Sequence, residues 1–249
     1  MSHYSVAVFH REDQDVDELL TPYSENIQVE PYIRYTREQA IQYCKDCWRQ
    51  DFLEGKSDDD LWQAVAEDYD NCTDEAGNIY STYNPHSKWD WYCTGGRWDG
   101  ELKIKEEARE KYGGCDETNE ARVGDIDFSG NPEEYAQALR FWDIVVDGKP
   151  KTKEEEEAGD FFNFFSIYNE KYYRDYYGDR ETYARHVSQW TTFAVVTPDG
   201  LWHEKGEMGW FGVSSDTPDD AKDWNEHYRE RFIDKADPDW ILTVVDCHI

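Results

Sequence analysis

A tryptophan-rich segment in the middle of the chain combines residue types that bind planar, anionic ligands. The aromatic side chains can stack on a nucleobase, Arg97 can pair with a phosphate, and Gly95-Gly96 can bring backbone N–H groups close to an anion. Asp90 would orient Arg97 or accept a hydrogen bond from the ligand. The segment predicts a nucleotide-like ligand site, and the structural alternative is an aromatic plug that closes a loop. The predicted ligand set is Trp89, Asp90, Trp91, Arg97 and Trp98.

Histidine and aspartate also occur at the two ends of the chain. His3 precedes the first apolar run, and Asp246 and His248 close the last one. Residues two apart on a strand point to the same face, so Asp246 and His248 share one side, and His3 joins them if the terminal strands are neighbours. This group predicts a proton-transfer pair or a shared metal. The alternative is a set of hydrogen-bonded histidines near a sheet edge.

The sequence contains none of the motifs that bring a cofactor or a nucleophile. A nucleophile elbow, a Walker-type loop, HExxH and GxGxxG are all missing, so no cofactor is expected and a binding role is favoured over an enzyme. Cys44 and Cys47 form a CxxC, but a four-ligand zinc pattern would need a second half. We therefore expect the six cysteines to be free thiols.

The chain is strongly acidic, with 56 acidic against 26 basic side chains and a formal net charge of −30. This charge repels phosphate backbones and attracts cationic surfaces, so we expect a basic protein partner and no direct nucleic-acid binding. Spread evenly, it would be about fourfold more dilute than the charge of DNA, so DNA mimicry requires clustering. The alternative is that acidic residues only maintain solubility. The predicted partner-facing residues are Glu106, Glu107, Asp116, Glu117, Glu154, Glu155, Glu156 and Glu157.

Strands and helices must position these side chains. Apolar runs at residues 5–9 and 241–245 predict two strands, one at each end of the chain. Thr36 predicts the N-cap of a helix that continues to about Glu54, and Ser57 predicts the N-cap of a second helix. Pro198-Asp199-Gly200 lies between two apolar runs and predicts a hairpin turn.

Further helices are predicted from Pro132 onward and over residues 219–232. We expect a single α+β domain over residues 1–249, with a mixed or antiparallel sheet that contains both termini and packs against helices. Its core should be rich in aromatic residues, and charged insertions are expected near residues 105–122 and 149–160. An export signal and a membrane-spanning apolar run are both missing from the sequence, which predicts a cytoplasmic protein without membrane contact.

Four separated segments give the chain a resemblance to a known group of proteins. MSHYSVAV, NPHSKWDWYCTGGRW, TPDGLWHEKGEMGWFG and VVDCHI together resemble a family of mostly uncharacterised proteins encoded by tailed bacteriophages and prophages. The resemblance implies a phage origin and no particular activity. By analogy, an accessory factor that acts on the bacterial host or its immune systems is expected.

Three functions follow from these observations. The leading hypothesis is a phage accessory protein that inhibits a basic, nucleic-acid-acting host defence protein, such as a defence nuclease or a CRISPR effector, through an acidic, DNA-mimicking surface. The alternative is a module that binds or sequesters a nucleotide-like small molecule through the tryptophan-rich segment. The third is a metal-dependent enzyme that uses His3, Asp246 and His248.

Overall fold

The computed structural model of the protein describes residues 2–157, 166, 168–209 and 212–249. The chain forms two compact units. The first contains Met1–Thr21 and Lys88–Ile249, and the second contains Pro22–Ser87. The second unit is thus an insertion in the sequence of the first.

Ten strands are described, and β1 and β10 contain the two apolar runs predicted at the ends of the chain. The strands are β1 (His3–His10), β2 (Gln28–Tyr35), β3 (Ile79–Tyr83), β4 (Trp91–Thr94), β5 (Leu102–Lys103), β6 (Glu117–Thr118), β7 (Glu120–Arg122), β8 (Ala194–Val196), β9 (Trp202–Glu204) and β10 (Ile241–His248).

The helices confirm the predicted N-caps. They are α1 (Val16–Leu20), α2 (Arg37–Cys47), α3 (Gln50–Leu53), α4 (Asp58–Asp68), α5 (Pro132–Phe141), α6 (Lys153–Glu157), α7 (Glu170–Tyr177), α8 (Arg180–Ser188) and α9 (Pro218–Tyr228). Thr36 and Ser57 both form capping boxes, with Gln39 and Asp60 respectively. A π-helical turn, Arg229–Ile233, extends α9 over the predicted range.

The first unit is built on a mixed, six-stranded sheet in the order β4-β10-β1-β8-β9, in which β7 pairs with a further part of β10. The two terminal strands are antiparallel neighbours along their whole length, from the His3–His248 pair to the His10–Ile241 pair. β1 also pairs in parallel with β8, and β8 continues through the predicted hairpin into β9. The α+β fold with both termini in one sheet is therefore confirmed.

Both faces of this sheet are covered. On one face, Ala7, Phe9 and Val244 pack with the aromatic side chains of α9 and its π-helical turn. On the other face, Tyr4 and Val6 pack with a cluster that includes α1. Alternation along β1 and β10 thus buries both sets of side chains, which explains why these strands are nearly continuous apolar runs.

The second unit has a small core of its own. β2 and β3 form an antiparallel pair, and α2 and α4 contribute Ala40, Cys44 and Leu61 to a buried cluster with Ile79 of β3. The helix that begins after Thr36 ends at Cys47 rather than near Glu54, because Trp48 has an extended backbone and α3 starts separately.

The charged segment at residues 105–122 is an integral part of the first unit. Ala108 and Ala121 lie in the core cluster, and β7 pairs with β10. In the second segment, 149–160, α6 is described, and residues 158–160 lie outside the described residues. No helix in the described ranges is long and apolar enough to cross a membrane. All six cysteines are free thiols.

Candidate functional site

Three strands bring histidine and aspartate together at one end of the main sheet. In the antiparallel pairing of β1 with β10, His3 lies opposite His248 and Ser5 lies opposite Asp246. β4 pairs with the other side of β10 and places Trp91 opposite His248. Directly opposed residues of antiparallel strands point to the same face, so these side chains form one group. The sequence predicted this meeting only on the condition that the terminal strands are neighbours.

The first pair in the group joins His3 to Asp246. His3 Nδ1 lies 2.8 Å from Asp246 Oδ1, and the Arg97 backbone N–H donates to Asp246 Oδ2 at 3.0 Å. The Asp246 residue is only 2 % exposed, so both carboxylate oxygens need these donors. Because a carboxylate only accepts hydrogen bonds, this contact places the proton of the neutral imidazole on Nδ1 and leaves Nε2 with a lone pair.

Glycine at position 96 is required for this arrangement. Gly96 has φ +60°, and a Cβ atom on it would lie 2.5 Å from Asp246 Cβ. The turn at Gly95-Gly96 therefore passes directly over the aspartate and aims the next N–H, that of Arg97, at its carboxylate. These glycines were predicted to admit an anion, and the anion they admit is a side chain of the protein itself.

The second pair joins His248 to Asp90. His248 Nδ1 lies 2.7 Å from Asp90 Oδ1, which also accepts from the Trp91 backbone N–H at 2.7 Å. The backbones of the two residues are also hydrogen-bonded, since the Asp90 N–H donates to the His248 carbonyl at 2.9 Å. Asp90 was expected to orient Arg97 or a ligand, and its position beside His248 was not predicted.

The two imidazoles lie close together beneath one indole. Their ring centroids are 4.9 Å apart at an interplanar angle of 74°, and Trp91 stacks on His248 at 5.0 Å and 16°. Neither Nε2 atom has a hydrogen bond to a described residue. Neither is among the side-chain polar atoms that are fully buried without a hydrogen-bond partner. We call this group the two-histidine site, which consists of His3, Asp90, Trp91, Asp246 and His248.

The geometry of the two-histidine site does not provide a set of metal ligands. His3, Asp246 and His248 do meet, but within the described ranges no group of three or more His, Cys, Asp or Glu side chains could hold a metal ion. Both Nδ1 atoms are already used on carboxylates. The arrangement is suited to proton transfer at the two Nε2 atoms.

The predicted ligand set of five residues does not lie on one surface. Trp89 packs in the cluster on the α1 side of the sheet, where its Nε1–H donates to the Leu20 carbonyl at 3.1 Å. Trp98 packs in the cluster on the opposite face. These two indoles therefore complete cores, as the structural alternative proposed. Asp90 and Trp91 belong to the two-histidine site, and the exposed Arg97 side chain makes no hydrogen bond or ion pair with a described residue.

The acidic residues predicted to face a partner differ in their surroundings. Asp116 pairs with Arg109 at 3.0 Å, and Glu155 accepts two hydrogen bonds from Arg140, both at 2.6 Å. The Arg140 guanidinium, helped by the Thr152 N–H, lowers the pKa of Glu155 to about 2. The side chain of Glu157 lies outside the described ones. The remaining residues are exposed, namely Glu106, Glu107, Glu117, Glu154 and Glu156.

A second acidic surface lies outside the residues predicted to face a partner. A groove of about 860 Å³ runs beside β1, with His10 and Thr243 in its lining, and within the described chain its lining contains no Lys or Arg. Glu12 at its edge pairs with Arg122 at 3.2 Å. The sequence signal for this surface is the acidic run HREDQDVDELL, which follows the first strand. We call this surface the acidic groove, and its carboxylates are Glu12, Asp13, Asp15, Asp17, Glu18 and Glu120.

The four segments that carry the resemblance to phage proteins meet near the two-histidine site. Three of them supply its residues, and the fourth is tied to the start of β1, because Ser2 Oγ donates to the Gly209 carbonyl at 2.6 Å and accepts from the Gly212 N–H at 2.7 Å. Comparisons with protein-family models, curated proteins and solved structures found no match to the chain. The phage relationship stays a prediction from these segments.

Proposed function

We propose that the protein is a phage accessory factor that binds a nucleotide-like small molecule at the two-histidine site, in the cytoplasm of the host bacterium. The observation that carries this proposal is the position of Trp91. One face of its indole stacks on His248, yet the residue is still 44 % exposed. The outer face is therefore available to a planar ligand, and stacking on a base is worth about 1–3 kcal/mol.

Charge supports a small ligand rather than a polymer. Arg97 follows the glycine turn over Asp246, and its guanidinium is exposed and without a described partner, so it can pair with a phosphate. A polynucleotide would extend beyond Arg97 over a protein of net charge −30. A mononucleotide or a dinucleotide needs to meet only the local charge.

Calorimetric titration with nucleoside monophosphates and with dinucleoside monophosphates tests the proposal. Trp91→Ala should weaken binding about tenfold or more, since a lost stack of 1.4 kcal/mol corresponds to that factor. Phe52→Ala is the matched control, because Phe52 is 45 % exposed and lies outside the site. Equal affinity of the two variants, or no heat with any nucleotide, contradicts the proposal.

The acidic groove favours a second candidate function. Here the protein binds and inhibits a basic, nucleic-acid-acting host protein, such as a defence nuclease or a CRISPR effector. Six carboxylates in one groove supply the clustering that the average surface lacks. With an accessible surface of 15038 Å², each net charge has about 500 Å², against about 100 Å² on DNA.

Charge reversal locates the partner surface. Asp13→Lys, Asp17→Lys and Glu18→Lys combined should abolish capture of host proteins at low salt, because these exposed carboxylates line the groove. The matched control carries the same charge change at Glu106, Glu154 and Glu156, which were predicted from the sequence to face the partner. Loss of capture in the control alone would place the partner on the predicted surface instead. Capture that is indifferent to salt would contradict both versions.

A further inference from the structure

We infer that the two-histidine site cleaves small ribonucleotide phosphodiesters, with one imidazole acting as the base and the other as the acid. This inference rests on the proposed nucleotide binding and names the reaction that follows it. It concerns His3 and His248 as catalytic residues, and Asp246 and Asp90 as the residues that position them.

Each histidine is prepared for proton transfer in the same way. A carboxylate oxygen lies within 2.8 Å of each Nδ1, so the ring is fixed and Nε2 is the atom left to exchange a proton. The carboxylates are themselves held by backbone N–H groups, those of Arg97 and Trp91. A carboxylate in this position orients the imidazole and stabilises the imidazolium that forms when Nε2 accepts a proton.

The presence of two such rings points to a reaction with two proton transfers. The ring centroids are 4.9 Å apart, which places the two imidazoles close enough together to act on a single phosphate group. A phosphodiester that is attacked by a hydroxyl of its own substrate must lose one proton from the attacking oxygen and gain one on the leaving oxygen. No separate nucleophile or water has to be supplied by the protein.

The atoms of this step balance. One neutral imidazole takes the proton of the ribose 2′-hydroxyl at Nε2, and the 2′-oxygen forms a bond to phosphorus. The bond between phosphorus and the 5′-oxygen breaks, and the other imidazole, protonated at the start, gives its Nε2 proton to that oxygen. The products are a 2′,3′-cyclic phosphate and a free 5′-hydroxyl. The two rings have exchanged protonation states, and solvent restores them.

Neighbouring side chains match this substrate class. The exposed Arg97 guanidinium can neutralise the phosphate oxygens as charge develops on them. The outer face of Trp91 can hold one base beside His248. Asp246 and Asp90 are the carboxylates that pair with the two rings, and both are used in positioning.

The test uses uridylyl-(3′→5′)-adenosine as the substrate and its 2′-deoxyuridine counterpart as the control. The protein should release adenosine and uridine 2′,3′-cyclic phosphate from the first and leave the second intact, because the deoxy compound lacks the attacking hydroxyl. Chromatography with mass detection measures both products. Cleavage of the deoxy compound, or release of a linear 3′-phosphate as the first product, overturns the inference.

Variants of the two histidines distinguish cleavage by this site from cleavage by a contaminating nuclease. His3→Ala and His248→Ala should each reduce cleavage about 100-fold or more, the usual contribution of a positioned acid or base. His227→Ala is the matched control, because His227 also lies next to a carboxylate, that of Asp223 at 3.1 Å, and belongs to α9 rather than to the two-histidine site. Unchanged cleavage in either site variant contradicts the inference.

A better leaving group distinguishes the acid from the base. Uridine 3′-(p-nitrophenyl phosphate) releases a phenolate that needs no proton, so the variant that lacks the acid should recover most of its rate and the variant that lacks the base should not. Equal loss in both variants on this substrate overturns the assignment of two roles. Binding of the dinucleotide without any turnover overturns this inference and leaves the proposed function standing, whereas absence of binding overturns both.

Discussion

Gly96 shows how a single residue sets the geometry of the two-histidine site. Gly96 and Gly113 both have positive φ, +60° and +68°, but only Gly96 has a neighbour where a Cβ atom would lie. That neighbour is Asp246, which is 2 % exposed and cannot move toward solvent without losing the hydrogen bonds from His3 and Arg97. The glycine is therefore needed for contact as well as for backbone conformation.

Gly96→Ala should lower the free energy of unfolding by more than Gly113→Ala does. The control substitution costs about 1–2 kcal/mol for the left-handed backbone alone. The substitution at Gly96 adds a contact at 2.5 Å with Asp246 Cβ. Urea unfolding of the two variants measures the difference. Equal losses would mean that the turn shifts away from Asp246 at no cost.

At the scale of the elements, local sequence signals were sufficient for the starts of two helices. Thr36 and Ser57 were predicted as N-caps because a capping box is formed by residues three apart, and both boxes are present. The partner of His248 could not be predicted in this way. Asp90 is 158 positions away, and the pairing of β4 with β10 brings it there.

The surroundings of the acidic segments could not be predicted from the sequence for a related reason. Composition identifies charge but gives no information about which carboxylates meet an arginine of the same chain. Ala108 and Ala121 anchor residues 105–122 in the core, and two alanines among charged residues give little apolar periodicity. Glu155 lies in α6 and is bound by Arg140 of α5. The acidic groove, in contrast, is formed by one continuous acidic turn together with β7 and β10.

The Glu155–Arg140 contact should give a stability contribution that depends on pH. Arg140 lowers the pKa of Glu155 from its usual 4.5 to about 2 in the folded protein. Since the folded pKa is the lower one, the contribution is fully present above about pH 5 and is lost as the pH falls through 4.5 toward 2. Glu155→Gln should therefore be less stable than the parent protein at pH 7, with the gap closing toward pH 2.

Urea unfolding of the two proteins between pH 7 and pH 2.5 measures this gap. Glu154→Gln, an exposed neighbour on the same helix, is the control and should show a smaller gap at pH 7. A gap for Glu155→Gln that stays constant across the acid range would show that the charge of Glu155 is not what stabilises the contact.

For the whole molecule, the net charge of −30 opposes the compact state, even though many individual ion pairs support it. In most of these pairs at least one of the two side chains is exposed, as with Lys45 and Asp58 or Arg49 and Asp51. Such pairs contribute little to the free energy of unfolding. Repulsion between carboxylates acts over longer distances than the attraction within each ion pair. The balance therefore favours repulsion at low ionic strength.

The free energy of unfolding should rise when sodium chloride is increased from about 10 mM to about 150 mM, because the screening length falls from about 30 Å to about 8 Å. Asp13→Asn, Asp17→Asn and Glu18→Gln combined should stabilise the protein at low salt, since these carboxylates share the acidic groove. Their benefit should shrink at high salt. Thermal unfolding of both proteins across the salt series measures the two effects. A free energy of unfolding that falls as salt is added would mean that attractive ion pairs dominate over repulsion between the carboxylates of the acidic groove. That result would also weaken the case for a basic partner.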